Sequence, residues 1–175
     1  GTDIAVRVGR LLDGSLVARK LAPVRTLLVA SASYLEQHGT PETPEDLTRH
    51  RFILYTLTAK PDQLVLTGPD GERAVVRMSG SLSANNGDVI LDACLAGRGI
   101  GVMPDFIGTG AFCDGRLKVV LPEWHFPASS IHAVYSQGGP VTPAVRLFVD
   151  ALVARTDALK RVAGDRPFAL ALNDL

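Results

Sequence analysis

Cysteine is scarce in this chain, with only Cys94 and Cys113 among 175 residues. They form neither a CxxC pair nor a zinc knuckle, and two thiols do not make the disulfide framework of a small secreted domain. They read as small buried hydrophobes of a reducing compartment, the cytoplasm. Net charge is also missing: 18 Lys and Arg balance 18 Asp and Glu, with no basic half, stripe or tail. These residues therefore lack the electrostatic footprint of a nucleic-acid binder. No uninterrupted apolar run approaches the roughly 18 residues that a membrane span needs. The opening GTDIAVRVG has no basic region followed by an apolar one, so no signal peptide is expected, and it has no initiator Met. It starts almost directly on a strand-like run, which leads us to expect that the chain begins inside a longer protein. Histidine offers no metal or catalytic pattern either. His38, His50, His125 and His132 stand apart without HxxxH or HExxH, and no GxSxG elbow occurs. The expectation is no metal, no cofactor and no catalysis.

Hydrophobic residues make up 46% of the chain, enough for a real core. Residues 3–8 read as a strand, 11–15 as an Asp-Gly turn, and 15–30 as two strand segments broken at Pro23. Ser31 caps a short helix that Gly39 ends, and Thr43 caps a second over 43–50. A strand over 51–57 precedes a hairpin over 63–78 turning at GPDG. A helical period over 88–96 includes Val89, Ile90, Ala93 and Cys94 and stops at Gly97. Strands follow over 99–104, 116–121 and 129–136, with no element predicted over 105–115. The longest helix runs from Thr142 as cap to about 159, with an apolar stripe of Val145, Phe148, Val149, Leu152 and Val153. Residues 160–175 carry weak signals. Alternating strands and helices give an α/β class.

Candidate site residues are few. His38 and His50 end short helices, where a cation meets the negative dipole end. Asp88 and Asp92 are one turn apart; a capping Asp88 and a solvent-facing Asp92 explain them better than an acid/base pair. The glycines of GRGIG (97–101) leave a helix and enter a strand, the reverse of the dinucleotide fingerprint. SANNGD (83–88) enters a helix, where free N–H groups and the dipole suit a carboxylate or other small anion. An ordinary N-cap is the competing reading. Arg7 sits between Val6 and Val8, either near the carboxyl end of a central parallel strand, facing a ligand crevice, or in a structural role, on an edge strand or paired with an acid.

Several blocks together resemble one family. They are DIAVRVGRLLDGSLVARKLAPVRTLLVASASYLEQHGTPETPEDLTRHRFI, SGSLSANNGDVILDACLAGRGIGVMPDF, GRLKVVLPEW and VYSQGGPVTPAVRLFVDAL, in the order and spacing found in the regulatory domain of LysR-type transcriptional regulators. The likeness covers residues 3 to about 153. It implies an α/β fold like a type 2 periplasmic binding protein: two lobes joined by crossover strands near 26–30 and 131–136, with a small effector between them. Residues 1–25 and 134–160 would be a remnant of the first lobe, 26–133 the inserted second lobe, and 161–175 a C-terminal tail. Carried over position by position, the effector-binding residues would be Arg7, Gly9, Arg10, Ser31, Asn85, Asn86, Gly87 and Pro104.

The departures from the family pattern are an absent winged helix-turn-helix, an absent first βαβα stretch, and Leu64 where relatives commonly have Trp. The incomplete first lobe leads us to expect chain association, or cover from the tail. The implied function is effector sensing in a bacterial DNA-binding regulator. Its partners would be a small effector such as a carboxylate, further copies of the chain in a dimer or tetramer, and DNA only through the missing N-terminal domain, with no membrane. A solute-binding protein of a transport system shares the fold but needs a secretion signal and a complete first lobe. An enzyme on the same scaffold would need an acid/base or nucleophile set that these residues do not assemble.

Overall fold

The computed structural model describes residues 4–9, 16–136 and 142–163. In chain order the elements are β1 (Ala5–Val8), β2 (Leu16–Val24), β3 (Thr26–Ser31), α1 (Ala32–His38), a 3-10 helix (Pro44–Arg49), β4 (Arg51–Tyr55), β5 (Gln63–Thr67), β6 (Arg73–Arg77), β7 (Ser79–Ala84), α2 (Gly87–Leu95), β8 (Ile100–Pro104), α3 (Thr109–Cys113), β9 (Leu117–Val120), β10 (Ser129–Ser136) and α4 (Pro143–Ala163). Their contacts form two compact units. Unit 1 takes residues up to Arg25 and from Ala128 on; unit 2 is Thr26–Pro127. The turn expected over 11–15, Arg10, and the tail beyond Ala163 lie outside the described residues.

Unit 1 is an antiparallel sheet in the order β1-β10-β2 with α4 against one face. Alternation along β10 turns Ile131, Ala133 and Tyr135 toward Val145, Val149, Leu152 and Val153 of α4. Thr142 caps this helix as the sequence indicates, its Oγ1 accepting the Val145 N–H at 3.3 Å. Phe148 departs from the expected stripe. It is 50% exposed, because one residue's rotation carries it off the face that Val149 buries. The break expected at Pro23 falls instead at Arg25: among the described residues β2 is an edge strand, where a residue without an N–H costs no ladder bond, and it runs through Pro23.

Unit 2 holds a five-stranded mixed sheet in the order β7-β4-β8-β3-β9. β4 is parallel to both β7 and β8, while β3 is antiparallel to β8 and β9. Each sheet face has its own core, and period-2 alternation decides which side chain joins which. Leu28, Ala30, Phe52 and Ile100 pack with Tyr34, Leu47 and the β5–β6 hairpin. Val29, Ile53 and Met103 pack with Ile90 and Cys94 of α2 and Ala111 of α3. Leu64, the departure from the family's Trp, is buried in the first core. α1 is capped as read from the sequence, with Ser31 Oγ accepting the Tyr34 N–H at 3.3 Å and Gly39 at φ 85°. The segment over 43–50 forms a 3-10 helix, and α3 arises inside 105–115, a single turn too short for a periodicity to show.

No disulfide links the two cysteines. Cys94 is buried as expected, and that burial pushes its thiol pKa up to about 12. Cys113 is exposed, against the expectation of two buried thiols, because it ends a one-turn helix at the surface.

Candidate functional site

The three parallel strands of unit 2 end together at Tyr55, Ala84 and Pro104. Ligands of open α/β sheets gather outside such carboxyl ends. Asn85, Asn86 and Gly87 follow β7 directly and open α2. Asn86 takes an extended backbone, φ −131°, and its Oδ1 accepts the Asp88 N–H at 2.8 Å. The cap is thus Asn86, not Asp88 as the sequence suggests; Asp88 and Asp92 are both exposed. Asn85 and Asn86 are exposed as well. A Cβ on Gly87 would stand 2.5 Å from Ile107 Cδ1, so the loop after Pro104 lies close against the first turn of α2. Asn85, Asn86, Gly87 and the Pro104 loop therefore form one cluster at a helix N-terminus, where amide groups and the dipole favour negative charge.

Ser31 is not part of that cluster. The residue of β3 opposite Pro104 is Thr26. Ser31 lies five residues further along β3, roughly 16 Å away at 3.3 Å per residue, and its hydroxyl is spent on capping α1. In unit 1, Arg7 is exposed and stands opposite His132 of β10, which faces Lys20 of β2. Among the described residues β1 is an antiparallel edge strand, so of the two readings of Arg7 the edge-strand one fits. His132 Nδ1 is buried with no hydrogen-bond partner among the described residues. Gly9 closes β1 at φ 118°, its N–H donating to the Ser130 carbonyl at 3.0 Å.

A second cluster, not foreseen as a site, occupies the opposite end of the parallel strands. A cavity of about 330 Å³ is lined by Tyr34, His38, Arg51, Leu82, Gly97 and Arg98. The His38 ring stacks on buried Tyr34 with centroids 4.3 Å apart. Its Nδ1 donates to the Tyr34 carbonyl at 3.1 Å, since a carbonyl can only accept. The Tyr34 hydroxyl accepts the Arg51 N–H at 3.1 Å and shares a 3.2 Å hydrogen bond with His50 Nδ1. Burial, then the neighbouring His38, hold His50 below the usual imidazole range, with Asp46 opposing. The dipole reading suits His38, in the last turn of α1; His50 is instead tied to Tyr34. The only signal in the sequence was the GRG turn, discounted there as a dinucleotide loop.

Among the described residues no group of three or more His, Cys, Asp or Glu could hold a metal, and no helix is long and apolar enough to cross a membrane.

The model of the LysR substrate binding domain family matches residues 1–157. An HTH-type transcriptional repressor of Pseudomonas aeruginosa is 33% identical over 86% of this chain and 48% of its own length. The regulatory domain of AphB from Vibrio vulnificus superposes with a TM-score of 0.73 at 34% identity, covering 87% of this chain and 75% of that one. The CrgA regulatory domain of Neisseria meningitidis gives 0.75 at 31% identity, covering 88% and 75%. The chain spans about half the length of the curated relatives it matches. Those relatives are transcriptional regulators, which does not favour the transport alternative. Two α/β units of this order, matched along nearly the whole chain by one family, make it a member of the LysR substrate-binding-domain family, with the type 2 periplasmic-binding-protein-like fold of LysR-type regulatory domains.

Proposed function

We propose that the chain is the effector-sensing part of a cytoplasmic, DNA-binding LysR-type regulator, that it takes a small anionic molecule such as a carboxylate, and that it assembles as a homo-oligomer. It has no catalytic role in this reading. DNA is contacted by a helix-turn-helix outside these residues, as the names of the relatives suggest. The supporting observation is the cluster of Asn85, Asn86, Gly87 and Pro104 at the carboxyl edge of the parallel strands, where exposed amides and a helix N-terminus suit a carboxylate. Arg7, Gly9 and Arg10 are proposed as further effector contacts on their family positions alone; Ser31, the remaining carried-over position, stands at the other end of β3 and caps α1. The effector acts by binding one conformation more tightly than another, and by no more than that difference in affinity.

A thermal-shift screen of small carboxylates tests this, since a ligand of the native state raises the melting temperature. Hits should lose their shift in Asn86→Ala and in Arg7→Ala. Asn86→Ser keeps a capping oxygen and separates loss of the cap from loss of the ligand contact. If every hit shifts all three variants as it shifts the wild type, the site is misplaced.

A further inference from the structure

We infer that unit 2 carries a second ligand site, for a doubly charged oxyanion of the phosphate class, between the guanidinium groups of Arg51 and Arg98. It lies at the amino ends of β4 and β8, away from the Asn86 cluster, and does not depend on the effector reading. Four observations carry it.

First, the fold forces the two arginines together. Gly99 lies at φ 152°, and a Cβ there would stand 2.4 Å from the Arg51 carbonyl oxygen. Only a glycine lets the turn after α2 rest on the start of β4, and that contact sets Arg98 beside Arg51. The turn is held on its other side as well. The Gly97 and Arg98 N–H groups donate to Cys94 and Ala93 carbonyls at 2.9 and 3.0 Å. The Arg51 N–H is fixed to Tyr34.

Second, neither charge has an ion-pair partner among the described residues. The ion pairs among the described residues are Arg19–Asp150, Arg49–Asp46 and Arg116–Asp114. Arg51 and Arg98 join none of them, and no carboxylate lines the cavity. Two arginines line one cavity with no acid in its lining, a charge that a dianion matches, and guanidinium groups present donors in the planar geometry that phosphate oxygens accept.

Third, there is room. About 330 Å³ accommodates a small phosphorylated molecule. Fourth, the walls are shaped for more than a bare ion. The Tyr34–His38 stack and Leu82, 39% exposed, give a flat apolar side against which the body of an ester can lie. His38 Nδ1 is engaged by the Tyr34 carbonyl, and the donors to the anion in this proposal are the two arginines. This site does not use a glycine cradle of the dinucleotide kind; the glycines of GRGIG position the arginines.

The test is titration of the chain with inorganic phosphate by calorimetry, at constant ionic strength, with chloride and nitrate as comparison anions and a phosphate monoester as a second arm. Saturable binding of phosphate is expected, tighter than that of either monoanion, and tighter again for the ester. Arg51→Gln and Arg98→Gln should each weaken phosphate by about tenfold or more, as loss of a charge-assisted hydrogen bond does. Asn86→Ser should leave it unchanged. Non-saturable binding, equal response to nitrate, or retention of affinity in both arginine variants would overturn the site. Loss in Asn86→Ser with retention in the arginine variants would move phosphate to the α2 N-terminus and overturn it too, leaving the effector proposal standing. Circular dichroism of each variant confirms that it folds, and Arg51→Lys, which keeps charge but not the fork, should fall between wild type and Gln.

Discussion

Adding one methyl group at Gly101 puts the packing of α2 on β8 to a quantitative test. An ideal Cβ on Gly101 would lie 2.6 Å from Cys94 Sγ and 2.8 Å from Ile90 Cγ2, both inside any real carbon contact. Cys94 and Ile90 are fully buried, so neither can swing out to solvent. Overpacking of this kind costs about 1–3 kcal/mol, and for a domain of this size each kcal/mol lowers the melting temperature by roughly 2–4 °C. Gly101→Ala should therefore lose about 2–12 °C. The same geometry predicts partial rescue. Cys94→Ala removes the closer of the two atoms and alone costs roughly 1 kcal/mol as a large-to-small change. In the double variant the new methyl occupies the space of the lost sulfur, so the two penalties should fall short of their sum by about 0.5–1.5 kcal/mol, the Ile90 contact remaining. Denaturant melts of the four proteins close the cycle. Strict additivity, or a Gly101→Ala protein as stable as wild type, would show that α2 does not sit on β8 at this distance. The placement of Asn86 and Gly87 against the Pro104 loop would then fall with it.

Two further outcomes follow from the titratable groups. His50 has a folded pKa below its ordinary value, so the native state binds its proton less readily than the unfolded chain. Its contribution to stability is present above about pH 6.5 and is lost as pH falls through the lowered folded value. Melting temperature should drop between pH 7.5 and 5 more steeply in wild type than in His50→Gln, and parallel curves would refute the Tyr34–His50 arrangement. Cys94, raised to about 12 by burial, should resist iodoacetamide in the native chain at pH 8, whereas exposed Cys113 reacts. Mass spectrometry showing both labelled at equal rates would contradict that burial.

Much of the fold was legible because local chemistry and tertiary context agree. The Ser31 cap, the Gly39 stop, the β5–β6 hairpin and the Thr142 start of α4 each depend on neighbours in sequence. What the sequence hid depends on neighbours in space. Pro23 breaks a strand in the abstract, but edge position removes the penalty, and edge position is a property of sheet order. Phe148 fits an apolar stripe by count, yet the sheet covers only the face centred on Val149. Cys113 resembles Cys94 in composition and differs only in what is packed above it.

The candidate site divides along the same line. Asn85, Asn86 and Gly87 are contiguous, so a sequence reading finds them together. Ser31 could join them only across the length of β3, and the antiparallel pairing of β3 with β8 instead puts Thr26 beside Pro104. The direction of a strand, which no residue on it records, thus decides that a position carried over from the family stands at the far edge. That edge is also where Arg51 and Arg98 meet. β4 spans Arg51–Tyr55, so its two ends are separated by about 13 Å at 3.3 Å per residue. Charges that far apart are screened by physiological salt, whose Debye length is about 8 Å. An anion at either end therefore gains almost nothing electrostatically from an anion at the other. Any influence between them must pass through an equilibrium that both ligands bias, and linkage then requires that each change the other's affinity by the same factor.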